Sequence, residues 1–98
     1  MAELRFEWDP RKAAANRRKH HVSFEDAETV FADENALLMA DADHQSTEDR
    51  FVILGLSAAL NTLVVCHCYR AKASVIRIIS ARRATRAERK QYAERWRP

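Results

Sequence analysis

In this 98-residue chain, the residues whose placement points to chemistry are cations set where a strand should be apolar. Arg77 interrupts the run Val75, Ile76, Ile78 and Ile79. An arginine inside a strand either pairs with a carboxylate or offers its planar fork to an anion such as phosphate. His67 intrudes in the same way on the stretch Thr62 to Tyr69. Strand alternation places Val65, His67 and Tyr69 on one face, and Ile76, Ile78 and Ser80 opposite Val75, Arg77 and Ile79. If the faces coincide, His67, Tyr69 and Arg77 line one surface, with Arg50 near its edge. The competing reading of His67 is a sheet histidine satisfied by its neighbours.

A second group lies in "ARRATRAERKQYAERWR", where Arg82, Arg83 and Arg86 cluster at an expected strand-to-helix junction. A helix N-terminus already favours anions, and nucleic-acid phosphate is the natural partner for such arginines. Tyr92 and Trp96 stand i, i+4 apart, which is first a docking stripe and only then a base-stacking pair. The adjacent His20 and His21 offer a proton-transfer residue or a turn. Cys66, His67 and Cys68 are consecutive, so alternation splits them, and no C-x-x-C or H-x-x-x-H spacing exists. Neither a metal nor a cofactor is expected. Gly55 is the single glycine, so there is no glycine-rich phosphate loop.

These residues need a scaffold, and the pattern supplies one. Leu4, Phe6 and Trp8 alternate with polar residues, predicting a strand over 3–8. Asp9-Pro10 then caps and opens a helix through about Lys19. Ser23 caps a second helix, with Asp26 answering at its third position, Val22 stapling onto Ala27, and Phe24, Ala27 and Phe31 as its stripe. Ala36 to Ala40 reads as a short strand, followed by a polar loop from Asp41 to Asp49. Three runs, Arg50 to Leu56, Thr62 to Tyr69 and Ser74 to Ala81, read as an antiparallel meander. Thr85 and Glu88 form a capping box that opens a last helix to about Arg95. The order β-α-α-β-β-β-β-α predicts one α+β domain over residues 1–98, with an antiparallel sheet packed against two N-terminal helices and a C-terminal helix.

Composition limits the setting. Apolar residues make up 47% and charged residues 32%, which describes a folded globular chain. The longest apolar stretch, Phe51 to Cys68, is broken by Gly55, Ser57, Asn61, Thr62 and His67, so no membrane span is expected. The opening MAELRFEWDP carries charges where a signal peptide needs an apolar run. Cys66 and Cys68 are expected to point to opposite faces of their strand, without a disulfide, in a reducing cytoplasm. The net charge of +3 hides polarity: residues 24–50 sum to −8 and residues 77–98 to +6. An anionic ligand at the basic surface is one explanation, and two ordinary solvated faces are the other.

Long stretches of the sequence resemble a known family. "FEWDPRKAAANRRKHHVSFEDAETVF" and "RIISARRATRAERKQY", with Arg50 opening the meander and Gly55 five residues on, resemble the BrnT toxins of bacterial BrnT/BrnA toxin–antitoxin pairs. The resemblance implies a RelE-like fold and a metal-independent endoribonuclease that arrests translation. It also implies a BrnA-type ribbon-helix-helix antitoxin covering the active surface, a heterotetramer with that partner, and operator DNA bound only through it. An inactive RelE-like module serving as antitoxin partner and co-repressor is the alternative.

Metal-free RNA cleavage needs a base for the 2′-OH, cations for the charged phosphorane and an acid for the departing 5′-oxygen. On the matching motif positions, the resemblance makes Lys12, His20, Arg50, Arg77 and Arg82 catalytic candidates, the arginines at phosphate and His20 or Lys12 moving protons. His67, Tyr69, Arg83, Arg86 and Tyr92 are the RNA-binding candidates. Asp9, Lys12, Ala13, Asn16, Lys19 and His20 share one side of the first helix, and Asn16 suits a structural network there as well as a catalytic wall. Relatives carry glycine at His21, a slot suited to a left-handed helix end. In "LSAALN", Asn61 is expected to take the positive φ.

Overall fold

A computed structural model describes residues 4–41 and 50–96. The chain opens with strand β1 (Arg5–Glu7) and helix α1 (Pro10–His20). Asp9 Oδ1 accepts from the Arg11 amide at 2.8 Å, and Pro10 costs no helical hydrogen bond in the first turn. The helix stops at His21, whose φ of 58° is left-handed. Its amide bonds back to the Arg17 carbonyl, closing the helix as the glycine-like slot predicts. Helix α2 (Phe24–Thr29) follows and tightens into a 3-10 turn, Val30–Ala32. Next come β2 (Leu37–Ala40), β3 (Phe51–Leu56), β4 (Thr62–Arg70), β5 (Val75–Arg83) and α3 (Arg86–Ala93), the last ending in a 3-10 turn, Glu94–Trp96. Thr85 and Glu88 form the expected reciprocal capping box on α3. The expected polar loop over 42–49, residue 3 of the first strand and the Trp96 side chain lie outside what is described. Among the described residues, no helix is long and apolar enough to cross a membrane.

The five strands form one sheet in the order β1-β5-β4-β3-β2. Strands β2 to β5 pair antiparallel as a meander, whereas β1 pairs parallel to β5, with Phe6 opposite Ile76. The sheet is therefore mostly rather than wholly antiparallel. Two helices and the meander separate β1 from β5, so no hairpin dictates that the edge strand run antiparallel.

Each face of the sheet is covered differently. On the first face, Val22, Phe24, Ala27 and Val30 from the helical segment meet Ile53, Leu63, Val65, Ile76, Ile78 and Ala81. Burying each large side chain among these stabilises the fold by roughly 1.5–3 kcal/mol. The second face is covered in part by α3, where Tyr92 and Ala84 meet Leu54 and Val64. Gly55 lies where the 3-10 turn crosses the sheet: a Cβ there would stand 2.9 Å from Val30 Cγ1 and 3.0 Å from Asp33 Oδ2.

Four local expectations are corrected. The ladder pairs Cys66 with Ser80 but His67 with Ile78, so Ile79 is an unpaired bulge residue. One extra residue inverts the alternation, and Ala81, not Ser80, joins Ile76 and Ile78 in the core. Cys66 and Cys68 share a face, because alternation returns to the same side every second residue; both thiols are free. Leu60, not Asn61, has positive φ in the β3–β4 turn, at 66°. Asn61 instead accepts from Arg83 Nη1 at 2.7 Å. Finally, the Ser23 hydroxyl does accept from the Asp26 amide at 3.0 Å, but the Asp26 carboxylate does not return to the cap. It reaches the same turn, accepting from the Ser57 hydroxyl at 2.8 Å.

Candidate active site

The bulge decides which side chains meet on the second face. Alternation within the paired registers puts Cys66, Cys68, Arg77, Ser80 and Arg82 on the side carrying α3. Arg50, one residue before Phe51, falls on that side with Val52. Three of the five catalytic candidates, Arg50, Arg77 and Arg82, thus share one face of the sheet. Helix α3 leaves part of this face open as a cleft of about 380 Å³. Met39, Val52, Leu54 and Val64 supply apolar surface there, and Asp41, Cys66, Ser80, Arg82, Glu88 and Gln91 supply polar groups.

The three arginines are held differently. Arg77 pairs with Glu7 on the neighbouring strand, Nη1 to Oε2 at 2.5 Å. Arg82 is gripped end-on by Glu88, with Nη1 to Oε1 at 2.8 Å and Nη2 to Oε2 at 3.0 Å. This bidentate grip holds the Glu88 carboxyl at about 2 and raises the Arg82 guanidinium above its ordinary value. Arg50 has a buried Nε with no hydrogen-bond partner among the described residues. A buried donor left unbonded is costly and suits an anion arriving from outside.

Between these cations sits a thiol that does little chemistry. Cys66 Sγ lies 3.5 Å from Asp41 Oδ2. Burial and the Asp41 carboxylate push the thiol up to about 11, against a smaller opposing pull from Arg50. It remains a thiol at neutral pH, so nucleophilic cysteine chemistry is not what this cleft offers. Among the described residues there is also no group of three or more His, Cys, Asp or Glu placed to hold a metal ion.

The remaining candidates fall elsewhere. Lys12 is exposed and His20 half-buried on α1, which runs along the edge of β5 with Ala13 against the first-face core and Asn16 bonded to Ala81; neither lines the cleft. His67 has 0% exposure and is closed in by Phe31, Phe51 and Tyr69. Its Nδ1 donates to the Val65 carbonyl at 3.0 Å, which leaves Nε2 to accept from the Tyr69 hydroxyl at 3.2 Å. Burial lowers the pKa of His67 and raises that of Tyr69. The expected surface of His67, Tyr69 and Arg77 does not form, because Arg77 points through the opposite face.

Arg82 and Arg83 likewise part at the end of β5, since Arg82 pairs with Val64 and Arg83 with Leu63. Arg86 is exposed at the first position of α3. Tyr92 is buried, as the docking reading expected, and its hydroxyl donates to Asp33 Oδ2 at 2.5 Å. Burial pushes the Asp33 carboxyl up, but bonds from the Leu56 amide, Tyr92 and the Asn35 amide outweigh it and hold the carboxyl below its ordinary value.

Sequence reasoning missed Asp41, Ser80, Glu88 and Gln91 as cleft residues. Glu88 was legible only as a capping residue, and Ser80 was assigned to the wrong face. Gln91 stands three positions beyond Glu88, a helical spacing that was available as a signal.

A sequence model of the family described as "Ribonuclease toxin, BrnT, of type II toxin-antitoxin system" matches residues 8–88. The chain is also similar to the crystal structure of the Brucella abortus ribonuclease toxin BrnT. That similarity has a TM-score of 0.64 at 21% identity, covering 85% of this chain and 99% of the other. At such identity the likeness speaks for a shared fold. No curated protein sequence matches the chain.

Proposed function

The chain belongs to the BrnT family of ribonuclease toxins of type II toxin–antitoxin systems, and we propose that it cleaves RNA, without a metal ion, at the cleft beside Arg50 and Arg82. The observation that carries this reading is that Arg50, Arg77 and Arg82 share one face of the sheet, where Arg82 borders an open cleft. Attack of a ribose 2′-OH on the adjacent phosphorus forms a 2′,3′-cyclic phosphate and expels the 5′-oxygen. Negative charge builds on the phosphoryl oxygens in that step. Fixed guanidinium groups stabilise it, and loss of one such preorganised donor typically costs roughly 10²–10³ in rate.

Among the described residues, the carboxylates of Asp41 and Glu88 border the cleft. Glu88, held at about 2 by Arg82, is too weak a base to draw a proton from a hydroxyl. Asp41 is the one we assign to the 2′-OH proton, and solvent water supplies the proton to the departing 5′-oxygen. Arg77, already paired with Glu7, contributes field rather than a direct bond. The proton-transfer roles that the resemblance gives Lys12 and His20 would require a second point of contact, because neither is among the residues that line the cleft.

We assign the biological setting from family membership. The protein arrests translation and growth in the cytoplasm, and a BrnA-type ribbon-helix-helix antitoxin neutralises it by covering the arginine face, in a heterotetramer that meets operator DNA only through the antitoxin. Induced expression should stop growth, purified protein should cleave RNA in EDTA, and co-expressed antitoxin should reverse both. A folded protein that leaves RNA intact yet binds the antitoxin tightly would point instead to an inactive partner and co-repressor.

A further inference from the structure

Arg82 is held at the edge of the cleft by groups that use up a particular part of its guanidinium. Nη1 and Nη2 face the two Glu88 oxygens at 2.8 and 3.0 Å, and Nη1 also reaches the Arg83 carbonyl at 3.4 Å. A guanidinium has five N–H donors in a rigid plane. These contacts consume its end and the Nη1 side. What remains is Nε–H together with the outer hydrogen of Nη2, an adjacent pair that matches two oxygens of one phosphate.

Glu88 is itself fixed. Its Oε1 accepts from the Thr85 amide at 2.8 Å, and its own amide donates to the Thr85 hydroxyl at 3.2 Å. The carboxylate is therefore locked to the first turn of α3 before it grips Arg82. With side chains 42% and 28% exposed, an ion pair of this kind adds little to stability. Its consequence is orientation: an arginine freed from it regains rotamers and loses the preset edge.

We propose that Glu88 is a positioning residue for RNA cleavage, which holds Arg82 end-on so that its Nε–Nη2 edge receives the scissile phosphate. The inference rests on the cleft reading above and gives Glu88 a role beyond the capping box.

The test is a double-mutant cycle with a second readout that does not depend on turnover. Cleavage of a defined RNA is compared for wild type, Glu88→Gln, Arg82→Ala and the double variant, with Thr85→Ala as the control for the cap. Glu88→Gln should lower kcat roughly 10- to 100-fold with a smaller change in KM. It should have no further effect once Arg82 is alanine. Thr85→Ala, which removes the hydroxyl cap but keeps the backbone amide that holds Glu88 Oε1, should lower Tm and leave kcat near wild type. In parallel, the Arg82 Nε–H resonance is followed by NMR as inorganic phosphate is added. It should shift in wild type and fail to shift in Glu88→Gln. Wild-type kcat in Glu88→Gln, an equal loss in the Arg82→Ala background, or an unchanged phosphate response overturns the proposal. A wild type that does not cleave RNA defeats the ribonuclease reading alone, because the resonance still decides whether Glu88 sets Arg82.

Discussion

Asn16 of α1 holds Ala81 of β5 by both of its backbone polar groups. Nδ2 donates to the Ala81 carbonyl at 2.8 Å, and Oδ1 accepts from the Ala81 amide at 3.0 Å. Strand β1 pairs only as far as Arg77, so past that point the outer edge of β5 has no strand beside it. The Asn16 amide takes the place of a strand there, directly after the bulge. Its Nδ2 also reaches the Val22 carbonyl at 3.1 Å, which ties the α1–α2 corner into the same network. Of the two readings that the helix stripe left open for Asn16, the structural network is what the geometry supports.

Asn16→Ala should therefore be severe. It leaves buried amide and carbonyl groups at Ala81 unsatisfied, at about 1–3 kcal/mol for each orphaned group. For a domain of this size, each kcal/mol corresponds to roughly 4–8 °C in Tm. Asn16→Asp should be nearly as damaging, since a carboxylate cannot donate to either carbonyl. Thermal unfolding of the two variants checks this, and a Tm within a few degrees of wild type would remove the anchor role.

Acid should destabilise the fold through His67. Burial depresses its folded pKa below the ordinary 6.5. The unfolded chain then takes up a proton at pH values where the folded one does not. The His67 contribution is complete above about 6.5 and declines as pH falls from there toward the folded value. Tm measured from pH 7.5 to 5 should fall accordingly. In His67→Phe, which keeps an aromatic ring against Phe31 and Phe51, the same titration should be flatter. An equal slope in both proteins would assign the effect to other groups.

The capping logic was legible because it is local: Asp9, Ser23 and Thr85 each announce a helix within four residues, and each caps one. The apolar runs of the meander were legible for the same reason. The bulge at Ile79 was not, because Val75 to Ile79 keeps the same apolar character whether or not one residue drops out of register. That single slip moved Ser80 and Arg82 from the face of Ile76 and Ile78 to the face of Arg77, and so determined the makeup of the cleft. The parallel edge pairing of β1 and the reach of Asp26 to Ser57 likewise depend on residues far apart in the chain. The arginines were found as types, but their shared face emerges only when the strands are in register.

Gly55→Ala tests how closely the 3-10 turn approaches the sheet. The added methyl would press on Val30 Cγ1 at 2.9 Å and on Ala36 Cβ and Asp33 Oδ2 at 3.0 Å. Asp33 has little room to yield, since the same Oδ2 accepts from the Leu56 amide at 2.8 Å and from Tyr92. Overpacking of this kind costs typically about 1–3 kcal/mol. Chemical denaturation should show that loss. Adding Tyr92→Phe, which releases one of the two bonds on that oxygen, should give less than the sum of the two single effects. Simple additivity would mean that the two sites do not share Asp33.

The division of the candidates between the two faces makes a prediction about catalysis. If the phosphate is held in the cleft, Arg50→Ala and Arg82→Ala should each lower kcat/KM by roughly 10²–10³, or about 2.7–4 kcal/mol of transition-state stabilisation. Arg82→Lys should recover little, because an ammonium cannot both grip Glu88 end-on and present a second paired edge. Arg77→Ala should cost less, its charge being already matched by Glu7. Lys12→Ala and His20→Ala should leave cleavage near wild type, as neither side chain is among the residues that line the cleft. Cleavage of one RNA by all six variants, with folding verified by circular dichroism, ranks these side chains directly. A loss in His20→Ala that equals the loss in Arg82→Ala would move the chemistry off the arginine face and place the proton transfer on α1.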